Sequence, residues 1–160
     1  MSLVVVSIDI DAPPEAVWAY ALDPMHTTEW VTIARAVGRV DEGPLRRGFE
    51  MEQTLVLRGV PFIVQWRLEE VDAPHFARWE GRGPARARAV IEDRLTPLHG
   101  GTRFDYRNEF HTPFGPLGAV GGRVVMGGIP EREATASLAR LKANVEAQRT
   151  QPGPSGSLSP

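Results

Sequence analysis

Residues 113–149 read PFGPLGAVGGRVVMGGIPEREATASLARLKANVEAQR, a glycine-rich lead-in followed by a run with helical period. From Glu131 to Arg149, Ala134, Leu138, Leu141 and Val145 recur at spacings of four, three and four, so they share one helical face. A stripe of this kind has to be buried against another element. In the lead-in, Gly118, Gly121, Gly122, Gly127 and Gly128 leave one side of the segment without side chains. Each glycine disfavours helix by about 1 kcal/mol, so the run needs another reason, and a cavity beside it is the one we expect. Pro130 either kinks a continuous helix or starts its second half.

Upstream the chain has the texture of strands. Leu3 to Ile10 is β-branched, with Val4, Val6, Ile8 and Ile10 on one face. Pro14 suits the first turn of a helix capped by Asp11 or Ala12, with Val17, Trp18, Ala21 and Leu22 as its buried stripe. Asp23-Pro24 ends that helix, and Met25 to Trp30 forms a second short helix or a turn. Strands follow over Ile33 to Val40, Phe49 to Leu57, Val60 to Val71, His75 to Gly81, Arg86 to Leu95 and Thr102 to His111, separated by Gly- and Pro-containing turns. In the last of them Phe104, Tyr106, Asn108 and Phe110 oppose Arg103, Asp105, Arg107, Glu109 and His111. One face is packed and the other is wet.

This order predicts an α+β fold in which a curved antiparallel sheet of about seven strands wraps around a long C-terminal helix. Two short helices after the first strand close one end. A cavity between sheet and helix follows from that geometry. We expect one domain over residues 1–149 and a disordered Pro/Gly/Ser-rich tail over 150–160.

Composition narrows the function classes. A formal charge of -2 gives no basic excess for nucleic acid, and 42% hydrophobic residues are those of an ordinary folded domain. The chain has no cysteine, which removes disulfides, thiolate metal sites and a cysteine nucleophile. Val4, Val5 and Val6 lie in an apolar run too short for a signal peptide or a membrane span, so a cytoplasmic protein with no membrane span is expected. Phosphate-loop, Gly-x-Ser-x-Gly and dinucleotide glycine patterns are missing.

The stretch Asp11-Ala12-Pro13-Pro14-Glu15-Ala16-Val17-Trp18, with Asp23-Pro24 and then Trp30, resembles the opening of the polyketide cyclase/dehydrase branch of the START-like, Bet v 1-like (SRPBCC) superfamily. Gly100-Gly101-Thr102-Arg103 and Ser137-Leu138-Ala139-Arg140-Leu141-Lys142 are similar to that family's later landmarks. The resemblance runs over residues 3 to 149. It implies the helix-grip fold and an apolar central cavity, and it carries no universal catalytic motif, since members include lipid carriers, hormone receptors and aromatic cyclases.

Alternation brings Gln53, Asp93, Tyr106 and Asn108 onto inward faces, with Trp30, Trp66 and Trp79 as walls and Gly121, Gly122 and Val125 on the helix side. Asp93, between Ile91 and Leu95, would have its pKa raised by desolvation, as suits a general acid or base. A register slip of one would instead solvate Asp93 and turn Glu92 or Arg94 inward. Tyr20 and His26 fall near the cavity mouth. His26, His75, His99 and His111 lack metal-ligand spacing, so no metal or cofactor is expected.

Three readings follow. The first is binding of a small hydrophobic or aromatic molecule. The second is a cyclase/dehydrase-type enzyme with Asp93, Tyr106 or His26 moving protons and Asn108 or Gln53 orienting a carbonyl. The third is an interaction module whose cavity is filled by its own tryptophans. A space well below a few hundred Å3 would sink the first two.

Overall fold

Consecutive hairpins carry the chain from Ala34 to His111, and the first strand then pairs with the last. The computed structural model describes residues 2–112 and 130–150. Gly118, Gly121, Gly122, Val125, Gly127 and Gly128, and the tail from 151, lie outside the described residues. Strand β1 (Ser2–Ile10) leads into helix α1 (Pro14–Ala21), a 3-10 turn (Pro24–His26) and the single-turn α2 (Thr27–Trp30). Then come β2 (Ala34–Val40), β3 (Glu50–Leu57), β4 (Val60–Asp72), β5 (Phe76–Arg82), a 3-10 turn (Pro84–Arg86), β6 (Arg88–Leu98), β7 (Gly101–His111) and helix α3 (Glu131–Thr150). The seven strands form one curved antiparallel sheet in the order β1-β7-β6-β5-β4-β3-β2. This is the expected helix-grip α+β arrangement.

The register follows the apolar alternation. Val4, Val6 and Ile8 of β1 stand opposite Asn108, Tyr106 and Phe104 of β7, all on the face turned toward the core. A register shift between Leu68 and Glu70 interrupts the β4–β5 ladder, and such a bulge bends the strand that carries it. Gly101 starts β7 where a Cβ would come within 2.8 Å of the Ile10 carbonyl oxygen, so a side chain there would push apart the strands that join the two ends of the sequence.

Helix α3 packs on β1, α1 and α2. Its predicted stripe, Ala134, Leu138, Leu141 and Val145, is buried, and the last three join a core that includes Ile10, Trp30 and Phe104. Burying a Leu or Val side chain contributes about 1.5–3 kcal/mol, so Leu138, Leu141 and Val145 account for most of what holds this helix.

Three local expectations differ from the structure. The cap of α1 is Pro13, without a side-chain hydrogen bond, rather than Asp11 or Ala12. Pro14 has no N–H to cap, and Asp11 is engaged by α3 instead, its N–H donating to Glu146 Oε1 at 3.0 Å. Within α1 the buried residues are Pro14, Val17, Tyr20 and Ala21, and Trp18 is only half-buried because it is turned about 100° from Val17. Strand β6 begins at Arg88 rather than Arg86, since Ala85 and Arg86 take φ of 54° and 60° in the preceding turn. Among the described residues no helix is long and apolar enough to cross a membrane.

Candidate functional site

Between the concave face of the sheet and the helices lies a cavity of about 100 Å3. Its floor is made by Met51, Gln53 and Leu55 of β3, Trp66 of β4, Trp79 of β5, Ile91 and Asp93 of β6 and Tyr106 of β7. Its roof comes from Ala21 to Ile33 and from Glu133, Ala134, Ser137 and Leu138 on the first turns of α3. Each floor residue is delivered by strand alternation, which turns every second side chain toward the helix.

The aromatic walls are held by their neighbours. Trp30 meets Phe104 edge-on at 6.4 Å between ring centroids, and Trp79 meets Phe49 in the same way at 6.3 Å. Trp66 lies over Gly81, where an added Cβ would sit 2.5 Å from the indole ring. That glycine gives the indole its space.

Asp93 is the chemically distinctive wall residue. It is 7% exposed, and its Oδ1 has no hydrogen-bond partner among the described residues. Burial raises its pKa from 3.8 to about 7, because the charged form is cut off from water. Tyr106 stands directly opposite it across the β6–β7 ladder. Burial, and to a lesser degree the Asp93 charge, pushes the Tyr106 phenol well above its ordinary range, so it stays neutral and acts as a hydrogen-bond donor or acceptor. Near neutral pH Asp93 is therefore available in both protonation states beside a neutral phenol. The indole N–H groups of Trp30 and Trp66 are likewise buried without an acceptor among the described residues.

The remaining candidates fall around this centre. Gln53 is buried in the floor, with Nε2 3.8 Å from the Met51 sulfur. Among the described residues Asn108 is not part of the lining; its Nδ2, two residues along the same face of β7, donates to Tyr106 Oη at 3.0 Å and so orients the phenol. His26 lies outside the lining, stacked on Tyr20 at 4.4 Å, with Nδ1 2.8 Å from Glu29 Oε2. Tyr20 donates to the same carboxylate oxygen at 2.6 Å and receives Asn144 Nδ2 at 3.0 Å. Burial and then the Glu29 hydrogen bond push the Tyr20 phenol up to about 12. The Tyr20 hydrogen bond first, and then that of His26, lowers the Glu29 carboxyl. His111 Nε2 is 3.9 Å from Glu109 Oε2, away from the cavity. Gly121, Gly122 and Val125 lie outside the described residues, as does the cavity position expected beside Gly118 to Gly128.

Sequence reasoning missed the polar part of the roof. Ser137 Oγ accepts the Thr32 N–H at 3.0 Å, and Thr32 Oγ1 donates to Glu133 Oε2 at 2.7 Å. The signal was present, since Ser137 lies three residues after Ala134 and four before Leu141 and so belongs to the buried stripe. Among the described residues no group of three or more His, Asp or Glu side chains is gathered to hold a metal ion.

A family model described as polyketide cyclase/dehydrase and lipid transport matches residues 1–146. The toxin Rv0910 of Mycobacterium tuberculosis (strain ATCC 25618 / H37Rv) is 24% identical over 116 residues, which cover 71% of this chain and 81% of that protein. The Zhui aromatase/cyclase from Streptomyces sp. R1128 superposes with a TM-score of 0.76 at 18% identity, over 92% of this chain and 95% of that one. Ara h 8.0201 superposes with a TM-score of 0.64 at 13% identity, over 91% and 99%. At such identities the two superpositions show a shared fold.

Proposed function

The chain belongs to the polyketide cyclase/dehydrase and lipid transport family, and from that membership and the cavity described above we propose that it binds a small hydrophobic or aromatic molecule between the sheet and α3. The observation that carries this reading is a mostly apolar cavity whose buried polar atoms, Asp93 Oδ1 and the Trp30 and Trp66 N–H groups, have no partner among the described residues. Leaving such a group unpaired costs about 1–3 kcal/mol, and an occupant with matching groups removes that cost. The volume bounds the occupant. About 100 Å3 is below the roughly 300 Å3 at which sites for drug-sized ligands begin. It is nearer the roughly 150 Å3 of an apolar cavity that takes benzene. The part of the ligand held here is therefore about one ring in size.

By volume alone the cavity filled by its own tryptophans is favoured over both ligand readings; what supports a guest against it is that Asp93 Oδ1 and the Trp30 and Trp66 N–H groups have no partner among the described residues. Catalysis is the second reading, favoured by Asp93, which at a pKa of about 7 is tuned to exchange a proton near neutrality beside the Tyr106 phenol. Incubation with a native extract, mass spectrometry of what co-purifies, and titration with neutral single-ring compounds such as phenol test the proposal. The expected result is a co-purifying small molecule and saturable shifts of the Trp30, Trp66 and Trp79 indole signals. Absence of both would overturn it, and chemical change of the bound compound, lost in Asp93→Asn, would select the enzyme reading.

A further inference from the structure

The cavity is one-sided in charge. Its ionisable walls are Asp93, Tyr106 and Glu133, which are acids or neutral, and no lysine, arginine or histidine lines it among the described residues. This is so in a chain with 18 Lys and Arg residues, which on the strands nearby point the other way: Arg78, Arg94 and Arg107 stand on the outward face of β5, β6 and β7. Asp93 faces Tyr106 across one strand and Ala77 across the other, and Glu133 from α3 overhead is already tied to Thr32. Loss of water is what raises the Asp93 carboxyl, and among the described residues no cationic wall residue offsets its charge. The rings of Trp30, Trp66 and Trp79 line the same cavity.

We propose that the molecule bound here carries a positive charge: a small amine or quaternary ammonium group that faces Asp93 and lies against the three tryptophans. This rests on the binding reading above and names its ligand class. A tryptophan face attracts a cation more strongly than any other side-chain ring, and the attraction grows when the site is desolvated. A buried carboxylate without a partner is costly, and a cation in the same enclosure offsets that cost where a neutral guest cannot. A methylated ammonium head also matches the small volume, since it is compact and presents only methyl groups to the walls. A short arm bearing a hydroxyl or carbonyl oxygen would give the Trp30 and Trp66 N–H groups an acceptor.

Cationic and neutral guests depend on pH in opposite ways. A cation needs ionised Asp93, so its affinity rises as pH passes upward through about 7. A neutral acceptor uses the protonated acid, and its affinity falls over the same range. The test is titration of the full chain with tetramethylammonium, with choline, and with 3,3-dimethylbutan-1-ol, which has the shape and hydroxyl of choline without the charge. Binding is read from the tryptophan signals at pH 5.5 and pH 8.

At pH 8 a cation is expected to bind at least tenfold more tightly than the neutral isostere, to weaken roughly tenfold or more at pH 5.5, and to lose that dependence in Asp93→Asn. Because asparagine keeps the shape of the acid, binding of the isostere to the variant serves as the check that the cavity is intact. If the isostere or phenol binds and neither cation does, the charge assignment is wrong and the small-molecule reading stands. If no cation, isostere or single-ring compound binds, both fall together.

Discussion

Two groups of polar side chains lie close together in this protein, and they are treated in opposite ways. At the seam where α3 meets the segment around α1 and α2, the polar side chains pair in two clusters: Tyr20, Glu29, His26 and Asn144 in one, Thr32, Glu133 and Ser137 in the other. In the cavity that Glu133 and Ser137 help to roof, Asp93 and the Trp30 and Trp66 N–H groups have no partner among the described residues. Folding stability alone would favour pairing both sets. The paired set is explained by holding the helix. The unpaired set destabilises the fold, a cost that the proposed guest would offset, since departures from local consistency concentrate at functional sites.

The largest expected effect separates the two groups by pH. The folded-state pKa of Asp93 is raised from 3.8 to about 7, so the native protein binds more protons than the unfolded chain between those values. Its contribution to stability is therefore most favourable below pH 4, declines as pH rises to 7, and is flat above. At about 1.36 kcal/mol per pKa unit the whole decline is about 4 kcal/mol. Denaturant unfolding of the wild type and Asp93→Asn at pH 5 and pH 8 reads this as a difference. The variant should gain on the wild type by a few kcal/mol as pH rises. Equal pH profiles would mean that the carboxyl reaches water.

Gly81→Ala comes next. The new Cβ would lie 2.5 Å from the Trp66 indole, a buried ring that must shift to make room. Overpacking of this kind costs about 1–3 kcal/mol. Here it should also move a cavity wall, so ligand affinity should fall by more than the loss of thermal stability alone explains. Unchanged binding in a folded Gly81→Ala protein would remove Trp66 from the site.

The seam predicts a smaller and simpler effect. Tyr20→Phe removes the hydroxyl that donates to Glu29 and accepts from Asn144. The loss of that hydroxyl should cost about 1–2 kcal/mol by denaturant unfolding. Binding in the cavity should be unchanged, because Tyr20 does not line it. A binding defect at full stability would instead make the Tyr20 cluster part of the site.

The difference between these regions also marks what could be read in the sequence. Alternation identifies the face a strand residue occupies, so Gln53, Asp93, Tyr106, Trp66 and Trp79 could be assigned inward, and the stripe of α3 likewise. It carries no information on depth along that face. Tyr106 and Asn108 have the same parity, yet Tyr106 lines the cavity while Asn108, outside the described lining, hydrogen-bonds to it. The seam was hidden for another reason. Thr32 and Ser137 are 105 positions apart, and Tyr20 and Asn144 are 124 apart. Contacts of that separation are set by how helix and sheet dock, to which local periodicity is blind. The helical period did place Ser137 in the apolar stripe, but a serine there looks like a defect until Thr32 is brought to it.

The smallest expected effect lies at the far end of α3, where the pairing is in contact with solvent. Lys142 Nζ donates to the Asp9 carbonyl at 2.9 Å and to Glu146 Oε1 at 2.6 Å, and that oxygen also accepts the Asp11 N–H at 3.0 Å. The Lys142 hydrogen bond, and then that from Asp11, holds the Glu146 carboxyl below its ordinary pKa. Exposed pairs of this sort contribute about 0.2–1 kcal/mol, less in salt. Glu146→Gln should therefore lower stability by about 0.5 kcal/mol at low ionic strength, with the difference shrinking in 1 M NaCl, where screening acts over about 3 Å. Glutamine keeps an oxygen for the Asp11 N–H, so the variant isolates the charge from the hydrogen bond. A loss well above 1 kcal/mol that persisted in salt would mean that this end of the helix is held by its ionic contacts rather than by Leu141 and Val145. The contrast between a seam that fixes α3 and a cavity that α3 merely covers would then have to be redrawn along the length of the helix.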